Sequence, residues 1–112
     1  MYNTHMIQTV IYIGLNDSVS KKQIFETDKY IKILKDVCCG YHTSFSFDVI
    51  EGGYIHDSGE YTKETTLQLT LIDVDSETVN EIAKDLCAFF HQESVLITES
   101  KIRSYYVRES LR

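Results

Sequence analysis

Three groups of residues have the types and spacing for chemistry. The first is Gln92-Glu93-Ser94, with His91 just before it. An adjacent imidazole and carboxylate can act as an acid/base pair or fix a ligand at a sheet edge. The same residues suit a structural task. A helix C-terminus leaves several carbonyls unpaired, which Gln92 and Ser94 can satisfy while Glu93 stays an exposed or capping carboxylate. That task is the favoured expectation, because every helix end has the need. The second group is Glu51, Tyr54 and His56. Tyr54 and His56 stand two apart, on one face of an extended strand. With Glu51 nearby they could serve a small-molecule pocket. Such clusters more often line a plain hairpin surface. The third group is Glu77, Glu81 and Asp85, spaced at i, i+4 and i+8 and extended by Asp73 and Asp75. Like charges at that spacing cost about 0.2–0.5 kcal/mol per pair. The stripe reads as a solvated helix face, or as a docking surface for a basic protein.

No Gly-x-Ser-x-Gly, phosphate-binding glycine loop or supported Cys–His–Asn pattern occurs, so no catalytic residue and no cofactor are assigned. The cysteines are Cys38, Cys39 and Cys87. Without a Cys-x-x-Cys or His-x-x-x-His pair, no metal site is expected. An odd count with an adjacent pair makes a poor disulfide framework and points to a reducing, cytoplasmic setting.

The elements that must position these groups centre on Asp75 to Ile97. Val79, Ile82, Ala83, Leu86 and Phe90 recur at steps of three and four, which puts one apolar stripe on a helix. Asp75 and Ser76 are good cap types. Val95-Leu96-Ile97 follows as a strand, and Lys101 to Arg108 is a further extended stretch. Glu99-Ser100 between them makes this either one bent strand or two. Upstream, Met6 to Leu15 is uncharged and rich in β-formers, so it reads as a buried strand. Asn16 to Glu26 is a long connection beside a strand end, a place where binding loops occur. Thr27 to Cys39 is a helix with Thr27 as cap, Gly40 as its left-handed end and Asp28–Lys32 as a supporting pair. Thr43 to Ile50 alternates, Glu51-Gly52-Gly53 predicts a bend or bulge, and Tyr54-Ile55-His56 resumes. Asp57-Ser58-Gly59 is a turn, and Tyr61 to Val74 returns. The order β-α-β-β-α-β, with two helices on one face of an antiparallel sheet, is the α+β, ferredoxin-like solution.

The chain has 112 residues, enough for one domain over 1–112 with a core over about 6–108. Without a run of about 18 apolar residues, no membrane span is expected. Met1 to His5 lacks the start of a signal peptide. Net charge is −6, with residues 43–74 at −5 and 75–93 at −4. Such a chain repels a phosphate backbone, so direct nucleic-acid binding is not expected. Tyr12, Tyr54, Tyr61, Tyr105 and Tyr106 are expected on strands, where alternation puts some of them on the open face of the sheet, with Val10, Ile50, Ile72 and Leu96. A half-apolar face of this kind suits a homodimer or a partner.

Ile11-Tyr12-Ile13-Gly14-Leu15, Gly52-Gly53-Tyr54 and Gln92-Glu93-Ser94-Val95-Leu96 resemble a family of small bacterial domains of unknown function. Members occur in bacterial genomes, sometimes as lipoproteins, and similar chains occur in mobile elements. The resemblance spans roughly 7–107 and implies a fold, not an activity. The resulting expectation is a non-enzymatic binding protein. Its most concrete form is a phage or mobile-element inhibitor, a counter-defence (anti-CRISPR-like) protein using Asp73, Asp75, Glu77, Glu81 and Asp85 against a basic, nucleic-acid-handling protein. The alternative is a dimeric ferredoxin-like domain that binds or converts a small molecule near Glu51, Tyr54, His56, Gln92 and Glu93.

Overall fold

The computed structural model describes residues 5–110. Residues 1–4, on which the signal-peptide expectation for Met1–His5 falls, and residues 111–112, the end of the expected 1–112 domain, lie outside the described residues. The elements are β1 (Met6–Gly14), α1 (Thr27–Gly40), β2 (Ser46–Ile55), β3 (Tyr61–Ile72), α2 (Ser76–Phe90) and β4 (Leu96–Ile102). The strands form one antiparallel sheet in the order β2-β3-β1-β4. This is the β-α-β-β-α-β arrangement that the periodicities predict.

One face of the sheet carries the core. Ile11 and Ile13 of β1 and Leu67, Leu69 and Leu71 of β3 are fully buried. They meet Tyr30, Leu34, Val37 and Cys38 of α1 and Val79, Ile82, Ala83, Leu86 and Phe90 of α2. The α2 stripe is the one its spacing predicts. Each large side chain buried here contributes about 1.5–3 kcal/mol of transfer free energy. Among the described residues no helix is long and apolar enough to cross a membrane.

The ends of several elements differ from expectation. Thr27 is the first helical residue of α1, not its cap; the cap position is Glu26, which makes no side-chain cap bond. Thr27 Oγ1 instead accepts from Gln23 Nε2 at 3.1 Å. Gly40 stays helical, and His42, at φ 53°, takes the left-handed place instead. The helix-supporting ion pair is Lys32–Asp36 at 3.0 Å, one turn beyond Asp28–Lys32. The expected bulge at Glu51-Gly52-Gly53 is absent. Pairing runs unbroken from Ser46↔Thr70 to Ile55↔Tyr61, because a glycine pair weakens a strand without adding the extra residue that a bulge needs. β4 is one strand. Glu99 and Ser100 stay in register with Thr9 and Gln8, and Arg103 to Arg108 lies outside the strands. Tyr105 and Tyr106 are therefore not strand residues.

Candidate functional site

β1 ends at Gly14 and its chain enters a tight polar loop. Asp17 organises that loop: its Oδ2 accepts the amides of Val19 and Ser20, both at 2.9 Å. An aspartate bonding amides two and three residues ahead holds an isolated turn together. The bonds from Ser20 and then Val19 keep the Asp17 carboxyl below its ordinary 3.8, with a smaller contribution from His91. The loop closes on itself through Asn16↔Gln23.

The end of α2 grips this loop. His91 takes the left-handed conformation at φ 55°, so its amide and that of Gln92 turn back to the carbonyls of Ala88 and Cys87. Backbone groups thus satisfy the helix end, and the Gln92 side chain is released for another task. Its Nε2 donates to the Asn16 carbonyl at 2.5 Å. The Ser18 amide donates to the His91 carbonyl at 3.0 Å, and His91 Nδ1 lies 3.4 Å from Asp17 Oδ1. Three contacts therefore join a loop and a helix end more than 70 residues apart in sequence.

Between them lies a hollow of about 210 Å³. Asn16, Asp17, Ser18 and Lys21 form one wall, and Gln92, Glu93 and Ser94 form another. Tyr54 and Glu64 come from the β2–β3 hairpin. Glu64 is the residue most carefully placed. The register puts it on the helix-free face with Gly14, Gly52 and Tyr54. Its Oε2 accepts the Asn16 amide at 2.9 Å. Its carboxylate lies over Gly14, where a Cβ would overlap it. Glycine at this position makes room for a carboxylate at the hollow. Three acids, one lysine and one phenol converge there, a set suited to a polar, cationic ligand.

Of the five pocket residues the sequence suggests, Tyr54, Gln92 and Glu93 line this hollow; Glu51 and His56 do not. Glu51 reaches Lys63 at 3.6 Å, an exposed pair of small consequence. His56 bonds Thr62 Oγ1 at 2.6 Å and packs edge-on against Tyr54, with ring centroids 4.8 Å apart. Its place is behind Tyr54. Asn16, Asp17, Ser18, Lys21 and Glu64 are site residues that motif reading missed. The length of the 16–26 connection was the available signal for the first four. Glu64 had none, since an acid on an outward strand position looks like any solvated residue.

The acidic stripe separates into individual tasks. Asp75 caps α2: its Oδ2 accepts the Thr78 amide at 3.1 Å and its Oδ1 the Thr78 hydroxyl at 2.7 Å. Those bonds lower its pKa. Asp85 accepts the Tyr41 hydroxyl at 2.8 Å, which raises the pKa of that phenol. Asp73 closes the chain reversal after β3 at φ 56°, with its amide on the Ile7 carbonyl at 2.8 Å. Glu77 and Glu81 point outward and form no ion pair among the described residues.

No family model matches the chain, and no curated protein is significantly similar in sequence. Solved structures are similar in fold. A phage SAM lyase in complex with S-methyl-5'-thioadenosine is 23% identical, with a TM-score of 0.69 over 95% of this chain and 91% of its own. Bacillus subtilis GlnK, in a complex with ATP, is 16% identical, with a TM-score of 0.58 over 88% of this chain and 82% of its own. CutA from Synechococcus elongatus is 12% identical, with a TM-score of 0.55 over 93% and 83%. At these identities the likeness establishes the architecture: a ferredoxin-like α+β domain.

Proposed function

We propose that the chain binds an adenosyl-sulfonium compound of the S-adenosylmethionine class in the hollow between Asn16–Lys21 and Gln92–Ser94, and cleaves it to S-methyl-5'-thioadenosine. The observation that carries this reading is Glu64, seated over Gly14 and held by the Asn16 amide beside Tyr54 and Glu93. The fold shared with a phage SAM lyase in complex with S-methyl-5'-thioadenosine supports it. Charge supports it too. S-adenosylmethionine carries a sulfonium, an ammonium and a carboxylate, and so is a net cation. A wall of Asp17, Glu64 and Glu93 against Lys21 suits a net cation.

Cleavage removes the positive charge on sulfur. A carboxylate packed on that sulfur would stabilise reactant more than transition state. The acids therefore serve the ligand's ammonium and ribose hydroxyls, and the rate comes from posture. An oxygen of the ligand's own carboxylate attacks the methylene next to sulfur. A carbon–oxygen bond forms, the carbon–sulfur bond breaks, and its electron pair stays on sulfur. The thioether and a lactone leave, with no further reactant. Holding a flexible chain in that posture is worth up to about 7–11 kcal/mol of barrier in well-oriented intramolecular systems.

The hollow is open to solvent and smaller than the roughly 300–1,000 Å³ usual for ligand pockets. Self-association over the helix-free face, where Tyr12, Ile72 and Leu96 lie beside buried Val10, would extend the enclosure. We place the reaction in the cytoplasm, where the substrate class is made. The test is direct: incubate purified protein with S-adenosylmethionine and measure thioether release by liquid chromatography and mass spectrometry. Release above the spontaneous rate by the wild type, reduced at least tenfold in Glu64→Gln, is expected. No release and no binding by the wild type would overturn the reading.

A second reading takes the exposed, unpaired Glu77 and Glu81 as a docking face for a basic, nucleic-acid-handling protein, the role of a phage counter-defence inhibitor. It expects a salt-sensitive complex that is lost in the double variant Glu77→Gln/Glu81→Gln.

A further inference from the structure

Of the residues lining the hollow, all of them described, Lys21 alone carries a positive charge. Its position is built. Lys21 adopts the left-handed conformation at φ 63°. Its amide donates to the Asp17 carbonyl at 2.8 Å. Its Nζ curls back to the Ser18 carbonyl at 2.6 Å, on a second residue of the same wall. A lysine ammonium has three N–H donors and no acceptor capacity. One is used on Ser18, which leaves two for a ligand. A neutral carbonyl is a weak partner for an ammonium beside an acidic wall; an anionic group on the ligand is a stronger one.

On the reading proposed above, the ligand has a single anionic group, the carboxylate of its amino-acid arm. We propose that Lys21 recognises that carboxylate and so selects adenosyl-sulfonium ligands that retain the amino-acid arm over the thioether that lacks it. Lys21 is thereby a positioning residue. It holds one carboxylate oxygen and leaves the other free to reach the reacting methylene. The same contact explains turnover, because S-methyl-5'-thioadenosine has no carboxylate and loses this contact as it forms.

Three probes separate the possibilities: S-adenosylmethionine, read by its KM in turnover, and S-adenosylhomocysteine and S-methyl-5'-thioadenosine, read by calorimetric titration. The first two carry the carboxylate, and only the first carries the sulfonium. Lys21→Met is expected to weaken both carboxylate ligands about tenfold, as loss of a charge-assisted contact does, and to leave the thioether unchanged. Lys21→Arg, which keeps the charge, is expected to restore most of the loss. In turnover, Lys21→Met is expected to lower kcat as well as raise KM, because a merely structural lysine would not set the posture. Equal weakening of all three ligands would assign Lys21 to loop structure alone and overturn the inference. No change with any ligand would overturn it equally. A wild type that binds none of the three overturns the functional reading itself, a result distinct from either of these.

Discussion

A carboxylate that lies against a strand needs a neighbour without a side chain, and Gly14 is that neighbour for Glu64. The two therefore act as a unit. Gly14→Ala is expected to push Glu64 out of the hollow and weaken ligand binding as much as Glu64→Gln does. Stability should change by less than about 1 kcal/mol, because the displaced group is the flexible end of a side chain. The double variant should be no worse than either single one, and a double-variant cycle measures that coupling. Additive losses would show that the two positions act separately. The cysteines give a second check at this scale. Burial, and then neighbouring Cys39, push the Cys38 thiol up to about 11, while Cys39 is exposed. Thiolate is the reacting form. Iodoacetamide at pH 8 is thus expected to modify Cys39 well before Cys38, as peptide mass spectrometry can read.

At the scale of elements, the Asn16–Gln23 loop is held by Asp17. The Asp17 carboxyl is depressed in the folded chain, so its contribution is complete above the ordinary 3.8 and fades as pH falls through the lower folded value. An NMR titration should place its midpoint below 3.8. Asp17→Asn should speed exchange of the Val19 and Ser20 amides at neutral pH; unchanged exchange would remove Asp17 as the organiser. Helix α2 is the other support. Ile82 is fully buried, and Ile82→Ala is expected to cost about 2–5 kcal/mol in denaturant unfolding. Both helices and the order of the elements along the chain were legible in the sequence, because an apolar stripe must be buried and its period fixes the element. The Gly52-Gly53 dipeptide misled, since glycine marks a bulge only when pairing slips, and here it does not. Tyr54, Gln92 and Glu93 were legible as polar types beside element ends. Glu64 was not, because only the register of β3 against β1 brings it beside Gly14. Lys21 was not, because a lysine in a polar connection looks like any solvated residue until the fold brings it to the hollow.

At the scale of the molecule, the charge of −6 divides into separate local tasks. Asp75 caps a helix, Asp85 holds Tyr41, and Asp17, Glu64 and Glu93 surround the hollow. The helix-free face is half-apolar, with Leu96 62% exposed. Self-association there is expected to appear in light scattering and to be weakened by Leu96→Lys. The hollow between Asn16–Lys21 and Gln92–Ser94 is where ligand binding is to be tested. The most direct measurement is a calorimetric titration of S-adenosylhomocysteine, which keeps the amino-acid arm but has no sulfonium to cleave, into the wild type and Glu64→Gln, each first shown to be folded. Saturable binding by the wild type, weakened at least tenfold in the variant, is expected. Absent binding by the folded wild type, or identical binding by both, would contradict it.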